Sequence, residues 1–248
     1  MHLAAWTPDA SVDWRFLPNM PSSGKALLCT NEKATMAVGL LSAFEQVVVL
    51  TETETAVFPQ QLSGNGRLLI HHPQKTALEP NNFDLVALPL GFTQPPAKQL
   101  GAIKQLLKPN GALYLGIQNR WSYRRWQGRK TVGETMWSLH QTKKELARAG
   151  FHRITAYGLV PDLAQPQTIF PLTTDAISLA LARSWRKIDT ERAQTWTSRW
   201  PLNQMLPYVL PSYGLVAHTA AFGSMASGLS RFGHVRCRFC AKSGRGPD

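Results

Sequence analysis

The chain has 248 residues, a formal net charge of +12 and 44% hydrophobic residues. That length allows one sizeable domain, with or without an appendage, and the composition is that of a chain that buries a real core. No apolar run approaches the roughly 20 residues needed to cross a bilayer. Met1–Asp9 lacks the basic start and apolar core of a signal peptide, so a cytoplasmic location is expected.

Met1–Ser23 carries Pro8, Pro18 and Pro21 between aromatics and reads as an irregular arm, residues 1–23. A short buried strand is expected at Gly24–Cys29. Glu32–Phe44 reads as a helix, because Ala34, Val38, Leu41 and Phe44 fall near one face. Strands follow at Gln46–Leu50, Gly66–His71, Phe83–Leu88 and Ala112–Ile117. Helical segments are expected around Ala56–Leu62 and Ala97–Leu107, with a Pro109-Asn110-Gly111 turn launching the next strand. Leu139–Ala149 is a helix closed by Gly150, where a left-handed cap is wanted. Arg153–Leu159 and Val209–Thr219 are the last strands. Between them, residues 173–208 read as a helical insertion, and residues 220–248 as a basic, partly flexible tail.

Strands alternating with helices predict an α/β fold: a Rossmann-like, doubly wound, mostly parallel sheet of about seven strands over residues 24–219. In such sheets ligands bind at the carboxyl ends of the strands. There the fifth strand runs into Asn119-Arg120-Trp121-Ser122-Tyr123-Arg124-Arg125-Trp126, a loop of arginines and aromatics. Guanidinium groups clamp anions, and aromatic faces stack on flat rings. The alternative is an amphipathic helix with a basic outer face. Positive charge also gathers at Lys143–Arg153, Arg183–Arg199 and beyond Arg231. It suits anionic partners or serves solubility alone. A nucleic-acid module is not evident, so nucleic acid is not the expected partner. Cys29 stands apart from Cys237 and Cys240, which have no second pair to complete a zinc site, and no metal is expected.

Phe83-Asp84-Leu85-Val86, then Leu106-Leu107-Lys108-Pro109-Asn110-Gly111-Ala112-Leu113, then Glu145-Leu146-Ala147-Arg148-Ala149-Gly150-Phe151 resemble, in that order, the class I S-adenosylmethionine-dependent methyltransferases. Gln118-Asn119-Arg120-Trp121, Pro161-Asp162-Leu163-Ala164-Gln165-Pro166 and Leu210–Ala217 are similar to members found beside glycan-assembly enzymes. The resemblance implies an enzyme that methylates a small-molecule acceptor, anionic or aromatic, in glycan or secondary-metabolite biosynthesis, with S-adenosylmethionine as cofactor. One departure stands out. Cys29-Thr30-Asn31-Glu32-Lys33-Ala34-Thr35 occupies the place of the family's glycine-rich loop, with no glycine before Gly39. That departure keeps two alternatives open: a cyclase or isomerase on the same fold, and a non-catalytic subunit binding RNA or a protein partner.

By position within the resemblance, the cofactor would be held by Cys29, Thr30, Asn31, Glu52, Glu54, His72 and Pro89. Glu52 and Glu54 follow the second strand, where a carboxylate accepts hydrogen bonds from ribose hydroxyls. They suit a helix N-terminus equally well. The acceptor would meet Gly91, Phe92, Asn119, Arg120, Trp121, Tyr123 and Arg124. His140 and Tyr123 are the candidates for proton transfer.

Overall fold

The computed structural model describes residues 21, 23–30, 35–51, 66–72, 78–92, 95–122, 136–160, 163, 166, 168–173, 176–177 and 207–220. The expected arm before Pro21, most of the 173–208 connection and the tail beyond Ala220 lie outside them. Described strands are β1 (Lys25–Cys29), β2 (Gln46–Leu50), β3 (Leu68–His71), β4 (Phe83–Leu88), β5 (Leu107–Gln118), β6 (Arg153–Val160), β7 (Thr168–Pro171) and β8 (Ser212–His218). Helices are α1 (Thr35–Leu41), α2 (Pro96–Leu106) and α3 (Leu139–Arg148).

The strands form one eight-stranded sheet in the order β3-β2-β1-β4-β5-β8-β6-β7. Strands β1 to β5 pair in parallel. Strand β8 runs antiparallel between β5 and β6. The sheet is wound on both faces because its strands are apolar on both. In β1, Leu27 packs toward Leu100 and Ile103 of α2 and Leu139 and Leu146 of α3. Its neighbours Ala26 and Leu28 pack with Ala37, Leu40 and Leu41 of α1 on the other face. Strands buried on both faces read as continuous apolar runs, as Val47-Val48-Val49 and Leu85-Val86-Ala87 do.

Local signals set the helix ends. Helix α2 begins with Pro95 at its cap and Pro96 in its first turn, where the missing N–H costs nothing. Helix α3 opens with a capping box: Ser138 Oγ accepts from Gln141 N at 3.2 Å, and Gln141 reaches back to Ser138. It closes as the sequence predicts. Gly150 sits at φ +83°, its N–H donates to Ala147 O, and Phe151 N–H donates to Leu146 O. That pair of bonds is the Schellman closure. Arg67 closes α1 from outside by donating to the carbonyls of Leu41, Phe44 and Glu45.

Two details differ from the expected elements. There are eight described strands and not about seven, because Thr168–Pro171 forms an antiparallel hairpin on β6 and becomes the sheet edge. And β5 starts at Leu107, directly after α2. Phe83 pairs with Leu107 while Leu85 pairs with Ala112, so Lys108–Gly111 bulges out opposite Asp84. The Pro-Asn-Gly turn therefore lies inside the strand as a bulge, with Pro109 and Asn110 exposed.

The amino end of the sheet is tied shut around this bulge. Lys108 Nζ lies 2.8 Å from Asp84 Oδ2, which also accepts from Lys25 N at 2.9 Å. Thr219 Oγ1 is 2.7 Å from Pro109 O. His218 ends β8 here, buried, with Nε2 unpartnered among the described residues. Burial, helped by the Arg153 guanidinium, holds its imidazole below the usual histidine range.

Candidate functional site

Strand order reverses between β1 and β4, and in sheets of this kind ligands bind beyond the carboxyl ends of the strands at such a switch. Cys29 and Thr30 leave β1 there, Thr51 leaves β2 and His72 leaves β3. Thr30 and Thr51 are buried. Their N–H groups extend the sheet pairing by donating to Leu50 O and His71 O, each at 3.2 Å. Burial pushes the Cys29 thiol up to about 12. It is a neutral, apolar wall and not a nucleophilic thiolate. His72 is half-buried. Asn31, Glu52, Glu54, Tyr123 and Arg124 lie outside the described residues.

The chain after β4 folds sharply back over β5. Gly91 N–H donates to Leu88 O at 3.3 Å, closing the turn through Pro89. The Pro89 carbonyl then lies so close to Gly116 that a Cβ built on Gly116 would sit 2.1 Å from that oxygen. The same Cβ would be 2.7 Å from Leu163 Cδ1. Gly116 thus admits a close backbone approach that no other residue permits. Pro89 is buried and seated on β5, and Leu163 of the Pro161–Pro166 motif closes over the same point. Phe92 is buried by an edge-to-face contact with Trp137, with ring centroids 5.8 Å apart.

Beyond β5 the chain is organised by one side chain. Asn119 is 2% exposed. Its Nδ2 donates to Tyr208 O at 2.6 Å and Leu210 O at 2.7 Å, and lies 3.1 Å from Tyr213 Oη. Its Oδ1 accepts from Trp121 N at 3.1 Å. Tyr213 in turn donates its hydroxyl to Pro207 O at 2.6 Å. The Asn119 amide is therefore engaged within the fold, and its contribution is to position the loop on either side of it. Sequence reading placed it at the acceptor because it leaves β5. Only the fold shows that β8 starts opposite it.

Arg120 and Trp121 are exposed, with the guanidinium carbon 5.8 Å from the indole centroid. Arg120 N–H donates to Trp137 O at 3.3 Å, and Trp137 N–H donates to Gln118 O at 3.1 Å. Residues 136–138 therefore lie alongside the end of β5. This brings His140, exposed on the first turn of α3, to the same edge. Gln118 Oε1 and Trp137 Nε1 are buried without a partner among the described residues. Tyr208 was not singled out in the sequence. It is exposed at the mouth, held through its carbonyl by Asn119. Its only sequence signal is an aromatic just before the Leu210-Pro211-Ser212-Tyr213 start of β8.

A mostly parallel sheet with a reversed strand inserted between β5 and β6, and a switch point between β1 and β4, is the fold of the S-adenosylmethionine-dependent methyltransferases. One such enzyme from Thermotoga maritima matches with a TM-score of 0.53 at 13% identity, over 86% of this chain and 88% of that one. Phosphoethanolamine N-methyltransferase 2 of Haemonchus contortus, in complex with phosphomonomethylethanolamine and S-adenosylhomocysteine, matches with a TM-score of 0.53 at 16% identity. That match takes in 86% of this chain and 53% of the nematode enzyme, so this chain spans about half of its length. No protein-family model and no curated protein sequence matches the chain. No helix among the described residues is long and apolar enough to cross a membrane.

Proposed function

We propose that this protein is an enzyme that methylates a small-molecule acceptor, with S-adenosylmethionine as cofactor, in glycan or secondary-metabolite biosynthesis. The observation that carries the reading is the β1/β4 switch point, with Thr30, Thr51 and the Pro89 turn at the strand ends beside it, on a methyltransferase fold. The residues present suit the cofactor. Thr30, Thr51 and His72 place polar residues at three adjacent strand ends, and the neutral Cys29 lies among them as an apolar neighbour for its nucleoside. Asn31, Glu52 and Glu54 complete the proposed cofactor set, the carboxylates for the ribose hydroxyls. When bound, the cofactor supplies an electrophilic methyl group.

The protein's part is chiefly positional. Gly91 and Phe92 form the wall between cofactor and acceptor, and Asn119 fixes the loop that carries Arg120 and Trp121. Tyr123 and Arg124 continue that loop. Holding acceptor and methyl donor at attack distance supplies much of the rate. His140 at the helix edge takes the acceptor's proton when the acceptor is not already anionic. The 29–35 stretch has no glycine, and its Cβ atoms would hinder a close approach of the cofactor to the backbone, so affinity should be micromolar or weaker. Calorimetric titration of the full chain with S-adenosylhomocysteine tests this. Saturable micromolar binding that weakens in Glu52→Ala is expected, and no heat of binding at millimolar ligand would refute the reading.

A further inference from the structure

We infer that the acceptor is a flat aromatic ring bearing an anionic group, received between Trp121 and Tyr208 with Arg120 as its counter-charge. The inference rests on the methyltransferase reading only for its location. Large hydrophobic side chains exposed among the described residues are Leu69, Ile70, Trp121 and Tyr208. The first two lie on edge strand β3. The two aromatic ones, 55% and 58% exposed, are distant in sequence, yet the backbones of both are bonded to Asn119 at the carboxyl end of β5.

Their convergence is built. Both backbones hang on the same buried amide, Trp121 through its N–H on Asn119 Oδ1 and Tyr208 through its carbonyl on Asn119 Nδ2. Tyr213, itself buried in β8, backs the arrangement by bonding Asn119 and Pro207. A planar side chain with few rotatable bonds, mounted on a fixed backbone and exposed to water, loses little entropy on binding a ligand. Stacking is what such a surface does best. The Arg120 guanidinium beside the indole adds a planar cation that pairs with carboxylate or phosphate in bidentate fashion. An aliphatic amine or alcohol acceptor would use neither feature.

The test uses the full chain and three probes of one shape: 2-naphthoate, its saturated decahydro analogue, and 2-naphthamide. Binding is measured by calorimetry and saturation-transfer NMR, with and without S-adenosylhomocysteine. We expect 2-naphthoate to bind about tenfold more tightly than the saturated acid, the scale of one good stacking contact. Trp121→Leu and Tyr208→Leu should each erase most of that ratio, and Trp121→Phe should keep it. Arg120→Gln should erase the preference for naphthoate over naphthamide and leave the ring preference intact. Equal affinity for flat and saturated acids overturns the inference, as does homocysteine-nucleoside binding without any naphthoate binding. Ring-selective binding that responds to these variants without cofactor binding upholds the platform and refutes the methyltransferase reading instead.

Discussion

The two ends of strand β5 are built on opposite plans. At its amino end, Lys108, Asp84, Lys25 and Thr219 spend their polar groups on one another and on the bulged backbone. At its carboxyl end a single buried amide, Asn119, gathers bonds from both flanking backbones, and the side chains of Trp121 and Tyr208 are exposed. Polar residues alone do not separate the two ends. The difference lies in where the hydrogen bonds terminate. Where they end on other parts of the fold, the region is structural. Where they gather on one buried amide, the flanking backbone is fixed and the rings it carries stay exposed.

Four substitutions probe this contrast. Gly116→Ala drives a Cβ into the Pro89 carbonyl, which is backbone and cannot rotate away. A loss of about 3 kcal/mol or more is expected in urea unfolding, at or beyond the usual top of the overpacking range. A loss under about 1 kcal/mol would mean the Pro89 turn is free to lift. Asn119→Ala strips the buried carbonyl at 210 and the partly buried one at 208 of their donor, and should cost about 2–3 kcal/mol. It should also lower acceptor affinity by releasing Trp121 and Tyr208. Unchanged stability would show that the carboxyl end does not depend on this amide.

The third probe is at the amino end. His218 is kept neutral in the folded state, with its imidazole below the ordinary value. The unfolded chain therefore takes up this proton first as pH falls below about 6.5. Stability should be unaffected by this group at higher pH. It should fall as pH drops from there toward the depressed folded value, then level off. One proton sets a ceiling of about 1.4 kcal/mol per pH unit on the slope. Denaturation curves of wild type and His218→Gln across that window should differ by this dependence alone, and identical slopes would remove His218 from the account. The mildest probe is Gly101→Ala in α2. No atom lies within 4 Å of the added Cβ. A gain of about 0.5–1 kcal/mol is expected from helix entropy, and a loss would mean that face of α2 is covered.

Much of the sheet was legible in the sequence because doubly buried strands leave continuous apolar runs, and because Gly150 marks a helix end by its conformation. Strand β7 was not. Thr168-Ile169-Phe170-Pro171 is too short to show a period, and its identity comes from pairing with β6. Gly116 reads as one more strand residue in Leu115-Gly116-Ile117. Its importance lies in Pro89, distant in sequence. The arginine–aromatic loop was visible as a candidate, but the buried role of Asn119 was not. An asparagine looks the same whether its amide meets a ligand or the start of a later strand. Tyr208 had no local pattern to reveal it, because its exposure is a property of the assembled mouth.

The reversed strand has one more consequence. Because β8 descends from the carboxyl edge, the chain between β7 and β8 must finish above the crevice before it enters the sheet. Pro207–Leu210 is the last stretch of that approach, already pinned by Asn119 and Tyr213. A one-residue slip at this anchor would turn every β8 side chain to the opposite face of the sheet, so the entry point sets the register against both β5 and β6.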